Sequence, residues 1–370
     1  MFTFEKLYSM GHEEVVFFSD PSCGLKAIVA IHNTTLGPAL GGTRMWNYKS
    51  IDDAIEDALR LSRGMTYKNS ISGLNLGGGK AVIMGDPTKD KSEALFRSYG
   101  RFVESLNGRY ITAEDVNTTV DDMEFIFAET NNVTGVAEIN GGSGNPSPWT
   151  ARGVFRGMEA SALKVFGDRS LKGKVVALQG AGSVGTHLGR HLYESGAKVL
   201  FTDMNEANIA RFKEAVPNAE FVGLNDIYDV KCDIYAPCAL GATVNDQTID
   251  RIKAKIICGA ANNQLAENRH GDMLKEKGIL YAPDYLINAG GVMNVSIEFE
   301  GWSAEKATKM VDKIYDTTLK IFKLSDEQNI PVYKATDLMA EQRIQSIKNI
   351  RGKYLGNLSH RFPGRKSRSR

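Results

Sequence analysis

Residues 173–203, GKVVALQGAGSVGTHLGRHLYESGAKVLFTD, leave this chain few choices of fold. A valine-rich apolar run ends in a glycine-rich turn. A stretch with Val184, Leu188 and Leu192 on one helical face follows, and a second apolar run closes on Asp203. Strand, turn, helix and strand in that order make a βαβ unit, which belongs in a parallel sheet. The turn reads G-x-G-x-x-G through Gly180, Gly182 and Gly185, and Asp203 follows at close to the spacing of about 20 residues found in dinucleotide-binding units. The first glycine permits the tight turn, the second lets a pyrophosphate approach the backbone, and the third lets helix pack on strand. The backbone N–H groups of Gly180, Ala181, Gly182, Ser183, Val184 and Gly185, with the positive end of the helix behind them, suit phosphates. Asp203 is placed to accept hydrogen bonds from ribose hydroxyls. It repels a 2′-phosphate and no arginine follows it directly, so NAD is expected in preference to NADP.

The same alternation extends beyond this unit. KVVALQG, KVLFTD, CDIYAP, KIICGA and ILYAP read as short strands between helices, which predicts a doubly wound Rossmann-type domain. INGGSGNPSP, residues 139–148, is the strongest break in the chain. Within it Ser147-Pro148 reads as the cap and first turn of a helix to about Phe166. A long helix from about Ser303 to Leu324, a break at Pro331 and a last amphipathic helix from Thr336 to near Ile350 complete this half. Residues 1–134 read as mixed α/β. LKAIVAIHN, GKAVIMG and RYITAED are expected strands, SIDDAIEDALRLSRG a helix capped by Ser50, and SEALFRSYGRFVESLNG a helix stopped at Gly108. At 370 residues, two domains are expected.

A formal net charge of +1 gives no global attraction to nucleic acid or to an anionic membrane, and neither is an expected partner. No apolar run approaches the roughly 18 residues of a membrane span, and the N-terminus lacks the apolar core of a signal peptide. The four cysteines form no C-x-x-C pair. Reduced thiols in a cytoplasmic protein are expected. The basic tail, 357–370, reads as solvated and disordered. His187 and His191 lie four apart, but H-L-G-R-H lacks the glutamate of a zinc-protease helix and no third ligand is evident, so no metal is expected. Cys238 in PCALG has no histidine partner legible in the sequence.

A second site is suggested by GLNLGGGKAVI, residues 73–83, where three glycines precede Lys80. A phosphate-binding P-loop requires G-x-x-x-x-G-K-[ST]. Leu74 stands at the first glycine position and Ala81 follows the lysine, so that reading fails. Glycines instead let a ligand lie against the backbone, and a lysine in such a place loses hydration. Burial and a neighbouring cation both lower a lysine pKa, by as much as roughly 3–5 units when burial is complete. Lys68 in SRGMTYKNS is the candidate second cation, and Asp115 in ITAEDVNTT, at a strand end, is the candidate acid. Two lysines and a carboxylate suit a small zwitterionic substrate. One ammonium holds its carboxylate, the other lysine does proton work, and the aspartate handles the amine.

GPALGGTRMW, LRLSRGMTYKNS, GLNLGGGKAVI, NGRYITAEDV, CDIYAPCALGA, ANNQL and APDYLINAGGV together resemble the Glu/Leu/Phe/Val amino-acid dehydrogenase family, closest to its leucine-acting branch, over about residues 8–350. The resemblance implies NAD-dependent, reversible oxidative deamination of a branched-chain aliphatic L-amino acid to the 2-oxo acid, ammonium and NADH. It places the substrate-carboxylate lysine at Lys68, the catalytic lysine at Lys80 and the catalytic aspartate at Asp115. Asn262 falls where a residue lies near substrate and nicotinamide, and Thr150 where one contacts the carboxamide. The side-chain pocket falls on Leu40, Ala113, Val292 and Val295, all small or aliphatic. Phenylalanine dehydrogenases tend to have glycine at the position of Ala113. A phenylalanine dehydrogenase, or a catalytically silent NAD-binding regulator, is the alternative. The family fold implies a substrate and oligomerisation domain from residues 1–134 plus 331–370, an NAD domain from 135–330, an active site in the cleft between them, and a homo-oligomer, commonly an octamer. Asn117 stands where the family usually has glycine, and Trp149 after Ser-Pro is also a departure.

Overall fold

The computed structural model describes residues 4–350. The basic tail expected to be disordered lies outside the described residues. Two compact units emerge. One takes in the chain to Asn145, Val295–Ala304 and the chain from Ala340; the other comprises Pro146–Asn294 and Glu305–Met339.

The first unit holds α1 (Phe4–Met10), β1 (Glu14–Asp20), β2 (Leu25–Asn33), β3 (Ala39–Trp46), α2 (Ile51–Ile71), β4 (Gly77–Met84), α3 (Glu93–Ser105), β5 (Tyr110–Glu114) and α4 (Val120–Phe127). Its sheet runs β1-β2-β4-β3-β5. The expected strands and helices are present, and two unforeseen strands join them. β1 is half exposed along an edge, and β3 is masked in sequence by Gly41 and Gly42. Those glycines depress strand propensity but serve the packing. A Cβ on Gly41 would sit 1.7 Å from the carbonyl oxygen of Gly79.

Side-chain alternation divides this sheet into two faces. Ala27, Val29 and Ile31 of β2, with Ala81 and Ile83 of β4, pack under Phe96, Tyr99, Phe102, Met123 and Ile126 of α3 and α4. Ile28, Ala30 and Val82 pack on the opposite face under Ala54, Ile55, Ala58 and Leu59 of α2. Ser50 caps α2 by accepting the Asp53 N–H, and the helix continues to Ile71. Lys68 therefore lies in the last turn of α2.

Two buried histidines lie against the same helix. His12 Nε2 is 2.8 Å from Ser62 Oγ, His32 Nδ1 is 2.8 Å from Thr66 Oγ1, and the ring centroids are 4.8 Å apart. Burial first, then the charges of His12 and Arg63, pull His32 down to about 4 from an ordinary 6.5, and burial lowers His12 too. Between those two pH values the unfolded chain binds more protons than the folded one. The stability contributed is complete above pH 6.5 and is lost as pH falls towards 4. The urea midpoint is expected to fall across that window, and His32→Asn to flatten the fall. An equal pH slope in wild type and variant would assign the acid sensitivity elsewhere.

The second unit is built from α5 (Ser147–Phe166), β6 (Val175–Gln179), α6 (Ser183–Glu194), β7 (Lys198–Thr202), α7 (Glu206–Ala215), β8 (Glu220–Phe221), β9 (Ile234–Pro237), β10 (Ile256–Ile257), α8 (Asn268–Glu276), β11 (Leu280–Tyr281), α9 (Asp284–Ile287), most of α10 (Gly290–Ser296), α11 (Ala304–Gln328) and the start of α12 (Val332–Lys348). All its strands are parallel, in the order β11-β10-β9-β6-β7-β8. That is the doubly wound order of dinucleotide-binding folds, with the reversal between β6 and β9. Only β8 was not expected, being two exposed residues with no pattern to read. α5 starts one residue early, with Pro146 at its cap and no side-chain capping bond.

Both expected domain boundaries shift. The first unit reaches Asn145 because Glu298 Oε1 accepts from Gly135 N (2.9 Å), Ser143 N (3.0 Å) and Ser143 Oγ (2.6 Å). Those bonds tie residues 135–145 and 295–304 to one body. Pro331 precedes α12, where a missing N–H costs nothing, so the helix starts at Val332 and the boundary falls inside it. Its latter part bonds to the end of α2: Arg343 Nη1 donates to the carbonyls of Ser70 (3.0 Å) and Leu74 (2.7 Å).

Candidate active site

Strand register gathers the lysine site within the first unit. Leu40 pairs with Gly78 and Ile111, Gly42 with Ala113, and Arg44 with Val82. Lys80 lies between Gly78 and Val82 and is registered with Ala30. By the two-residue period, Leu40, Gly42, Arg44, Lys80 and Ala113 all occupy one face, the face that α2 covers. The helix carrying Lys68 is thus brought to the side of the sheet that carries Lys80.

The glycines before Lys80 do not serve as expected. A Cβ on Gly77 would meet the Asn33 carbonyl oxygen at 2.0 Å, one on Gly78 the Thr66 nitrogen at 2.1 Å, and one on Gly79 the Tyr110 ring at 2.7 Å. They are demanded by neighbouring strands, by α2 and by an aromatic ring. The glycine that shapes the site is Gly42. Its missing Cβ leaves room for Asp115, whose Cβ would lie 2.7 Å away. The Asp115 side chain crosses that gap to reach Lys80.

Lys80 is 4% exposed, and its Nζ lies 2.8 Å from Asp115 Oδ1. Burial is the dominant influence and lowers the ammonium pKa. Asp115 opposes it, Arg44 adds to it, and the net direction is down. Burial works to raise Asp115, but Lys80 and Arg44 prevail and hold the carboxyl at about 2. Asp115 is therefore ionised at neutral pH, beside a lysine whose proton is held less tightly than in water. Arg44 adds a cation to this centre: its Nε donates to Asp115 Oδ2 at 3.1 Å.

The loop bearing Asp115 is sewn to β3. Met45 N donates to Val116 O (3.1 Å), Thr118 Oγ1 to Thr43 O (2.9 Å), and Asn117 Nδ2 to Met45 O (3.1 Å). Asn117 has φ +61, a left-handed conformation that glycine adopts freely and asparagine tolerates better than most residues. The departure from glycine thus keeps the turn and adds a hydrogen bond.

In the second unit, the Gly-rich turn leaves β6 at the strand-order reversal. Gly180 has φ +105 and packs against Ala239, and a Cβ on Gly185 would lie 2.0 Å from the Gly180 carbonyl oxygen. Both glycines are required by the fold. Gly182 is different, because a Cβ there would meet nothing within 4 Å. Its bareness makes sense as room for a phosphate group, and α6 begins just after it with no side-chain cap over its first N–H groups. Asp203 Oδ2 accepts from Ala181 N at 2.7 Å, and Oδ1 from Asn205 N at 2.8 Å. The acid is thereby fixed beside the turn. These residues fit a dinucleotide.

Comparisons with known proteins decide what the two sites belong to. Residues 12–132 match the family model described as Glu/Leu/Phe/Val dehydrogenase, dimerisation domain, and residues 200–352 that described as Glutamate/Leucine/Phenylalanine/Valine dehydrogenase. The chain belongs to the Glu/Leu/Phe/Val dehydrogenase family. It is 57% identical to leucine dehydrogenase of Geobacillus stearothermophilus over 99% of each chain, and 59% identical to leucine dehydrogenase of Bacillus cereus over 96% of each. Among solved structures it is similar to L-tryptophan dehydrogenase from Nostoc punctiforme, with a TM-score of 0.81 and 46% identity over 93% of this chain and 99% of that one. The chain is an amino-acid dehydrogenase with a Rossmann-like domain of the kind that takes a nicotinamide cofactor.

Other residues singled out in this family member sit as follows. Val295 is buried in the first unit, and Val292 is half-buried in the second. Thr150, in the first turn of α5, donates to the Pro146 carbonyl at 3.1 Å, and Gly291 lies close beside its hydroxyl. Asn262 is exposed in the loop after β10, where Asn288 Nδ2 donates to its Oδ1 at 2.8 Å. Burial pushes the Cys238 thiol up to about 12, which disfavours the thiolate that a nucleophile needs. Among the described residues no group of three or more His, Cys, Asp or Glu side chains could hold a metal ion, and no helix is long and apolar enough to cross a membrane. Sequence reading passed over Gly42 and Arg44. The signal was available in GPALGGTRMW. Read as a strand, its two-residue period puts Gly42 and Arg44 on one face.

Proposed function

We propose that this enzyme catalyses reversible NAD-dependent oxidative deamination of leucine, and also of valine and isoleucine, giving the 2-oxo acid, ammonium and NADH. The observation that carries this reading is the buried Lys80–Asp115 pair, a base and an ionised acid 2.8 Å apart on a water-poor sheet face. Lys68 binds the substrate carboxylate. Gly180–Gly185 would hold the pyrophosphate of NAD, Asp203 its adenosine ribose and Thr150 its carboxamide, and the cofactor when bound would supply the hydride acceptor. Loss of hydride leaves an iminium at the substrate α-carbon. Lys80, in its neutral form, removes a proton from the attacking water, and Asp115 carries protons to and from the departing amine. The family resemblance assigns Asn262 a place near substrate and nicotinamide. The positions that the family resemblance assigns to the substrate side chain, Leu40, Ala113, Val292 and Val295, are all small or aliphatic, with no cation among them for a second carboxylate, which favours leucine over glutamate. The alanine at 113 supports leucine over phenylalanine, since added ring volume needs room there.

The match to a dimerisation domain supports a homo-oligomer, and an octamer is the state proposed. Purified protein offered NAD or NADP with Leu, Val, Ile, Phe, Glu or Ala is expected to reduce NAD with the branched-chain substrates in preference to the rest. Silence with all six amino acids would remove the enzymatic reading. Light scattering tests the assembly against multiples of the 40.5 kDa chain.

A further inference from the structure

Arg44 belongs to a motif whose role in the chemistry is not accounted for by the two lysines and Asp115. Its guanidinium is a fork between two carboxylates. Nε donates to Asp115 Oδ2 at 3.1 Å and Nη1 donates to Asp57 Oδ2 at 2.8 Å. Asp57 is itself held, accepting from Tyr48 OH at 2.7 Å and from Arg60 Nη2 at 3.0 Å. A chain of contacts therefore runs from Lys80 through Asp115 and Arg44 to Asp57 on α2. We propose that Arg44 is a positioning residue of the reaction: anchored on Asp57, it holds Oδ2 of Asp115 and so presents Oδ1 to Nζ of Lys80.

Three features support this role. The Arg44 and Asp57 side chains are only 21% and 17% exposed, so the fork is shielded and its geometry persists. A planar guanidinium can satisfy two carboxylates at once, which an ammonium does with far less precision. The loop bonds at Thr43 and Met45 fix the backbone on either side of Arg44, so side chain and loop are set by the same stretch of β3. Charge follows from the same placement. Asp115 alone would tighten the hold of Lys80 on its proton. Arg44 shares that carboxylate and adds positive charge, and so favours the neutral amine that the deamination needs. Among the groups facing this centre are Lys80 from β4, Asp115 from the loop after β5, Asp57 and Arg60 from α2, and Tyr48 from the loop after β3.

This role rests on the assignment of Lys80 and Asp115 made above. It is tested with Arg44→Met and Arg44→Lys in the full-length enzyme, assayed with leucine and NAD across pH. Arg44→Met is expected to lower kcat by roughly 10- to 100-fold, because a misaimed proton-transfer group loses much of its effect. The KM for leucine stays within about threefold, as expected for a group that does not touch substrate. The ascending limb of kcat/KM against pH moves up by about one unit, since a neighbouring cation no longer opposes protonation of Lys80. Arg44→Lys, which keeps the charge and loses the fork, returns the limb towards its wild-type position without restoring all of kcat. A limb that does not move, or a loss confined to KM, overturns the role. If Arg44→Met fails to fold, Arg44→Lys decides: kcat reduced at constant KM supports positioning, and wild-type kcat overturns it. Wild-type protein silent with every amino acid overturns the reading of the reaction and this role together, whereas an active wild type with indifferent variants overturns the role alone.

Discussion

Lys80→Met is expected to lower kcat for leucine by about 10²- to 10⁴-fold, the range over which a positioned proton-transfer group contributes. The same substitution is expected to move the melting temperature little, because two linkages oppose each other: against burial, Lys80 is the largest influence holding Asp115 ionised, while its own amine is buried at a cost. Lys80 has a folded pKa below its ordinary 10.5, so its contribution to stability is complete only above that pH and is lost as pH falls. At neutral pH the buried amine is a burden that the fold carries for the sake of chemistry. Methionine removes the burden and the support for Asp115 together and fills similar space, and Asp115 keeps Arg44 as a partner at 3.1 Å. Steady-state kinetics and thermal unfolding on one preparation check both halves. A variant that retains near-normal turnover while folded and able to bind NADH would contradict the role given to Lys80. One that melts far from wild type would contradict the account of its energetics.

Gly42→Ala probes the other partner without touching a charge. The added methyl would lie 2.6 Å from the Glu114 carbonyl oxygen and 2.7 Å from Asp115 Cβ, and both are closer than real Cβ contacts allow. Neither neighbour is the free end of a flexible chain, so the loop must shift and the carboxylate must leave its place opposite Lys80. A displacement of this kind is expected to lower kcat by roughly 10²-fold, since an error of about 1 Å in a catalytic group has that effect. Stability is expected to fall by about 1–3 kcal/mol, as for overpacking elsewhere. Affinity for NADH, whose proposed holders Gly180–Gly185 and Asp203 belong to the other unit, is expected to stay constant. Steady-state kinetics, urea unfolding and NADH fluorescence titration separate these effects. Wild-type turnover in a folded Gly42→Ala protein would show that Asp115 reaches Lys80 by some other route.

Much of the second unit was legible because its information is local. A βαβ unit announces itself through a change of apolar period from two to 3.6, a glycine turn and an acid at the next strand end. All of that lies within residues 173–203, and β6, α6 and β7 appear where expected. The first unit was legible in pieces. Ser50 capped the helix it was expected to cap, and β2, β4 and β5 formed. β3 went unread because paired glycines weaken every local sign of a strand. The three glycines before Lys80 were visible, yet their purpose was misread, since the atoms that exclude a side chain belong to Asn33, Thr66 and Tyr110.

From the residues alone came the parallel dinucleotide-type sheet, the family, and the chemical parts Lys68, Lys80 and Asp115. Only the tertiary structure decided how Lys80 and Asp115 are arranged. The strand order β1-β2-β4-β3-β5 inserts β4 between strands that precede it and lays β3 between Lys80 and the strand leading to Asp115. That order made Gly42 the gap the carboxylate crosses and brought Arg44 to its second oxygen. Periodicity and turn chemistry are short-range properties of a chain, so a sequence displays them. Which strand lies beside which is set by burial summed over a whole core, and no local stretch contains it.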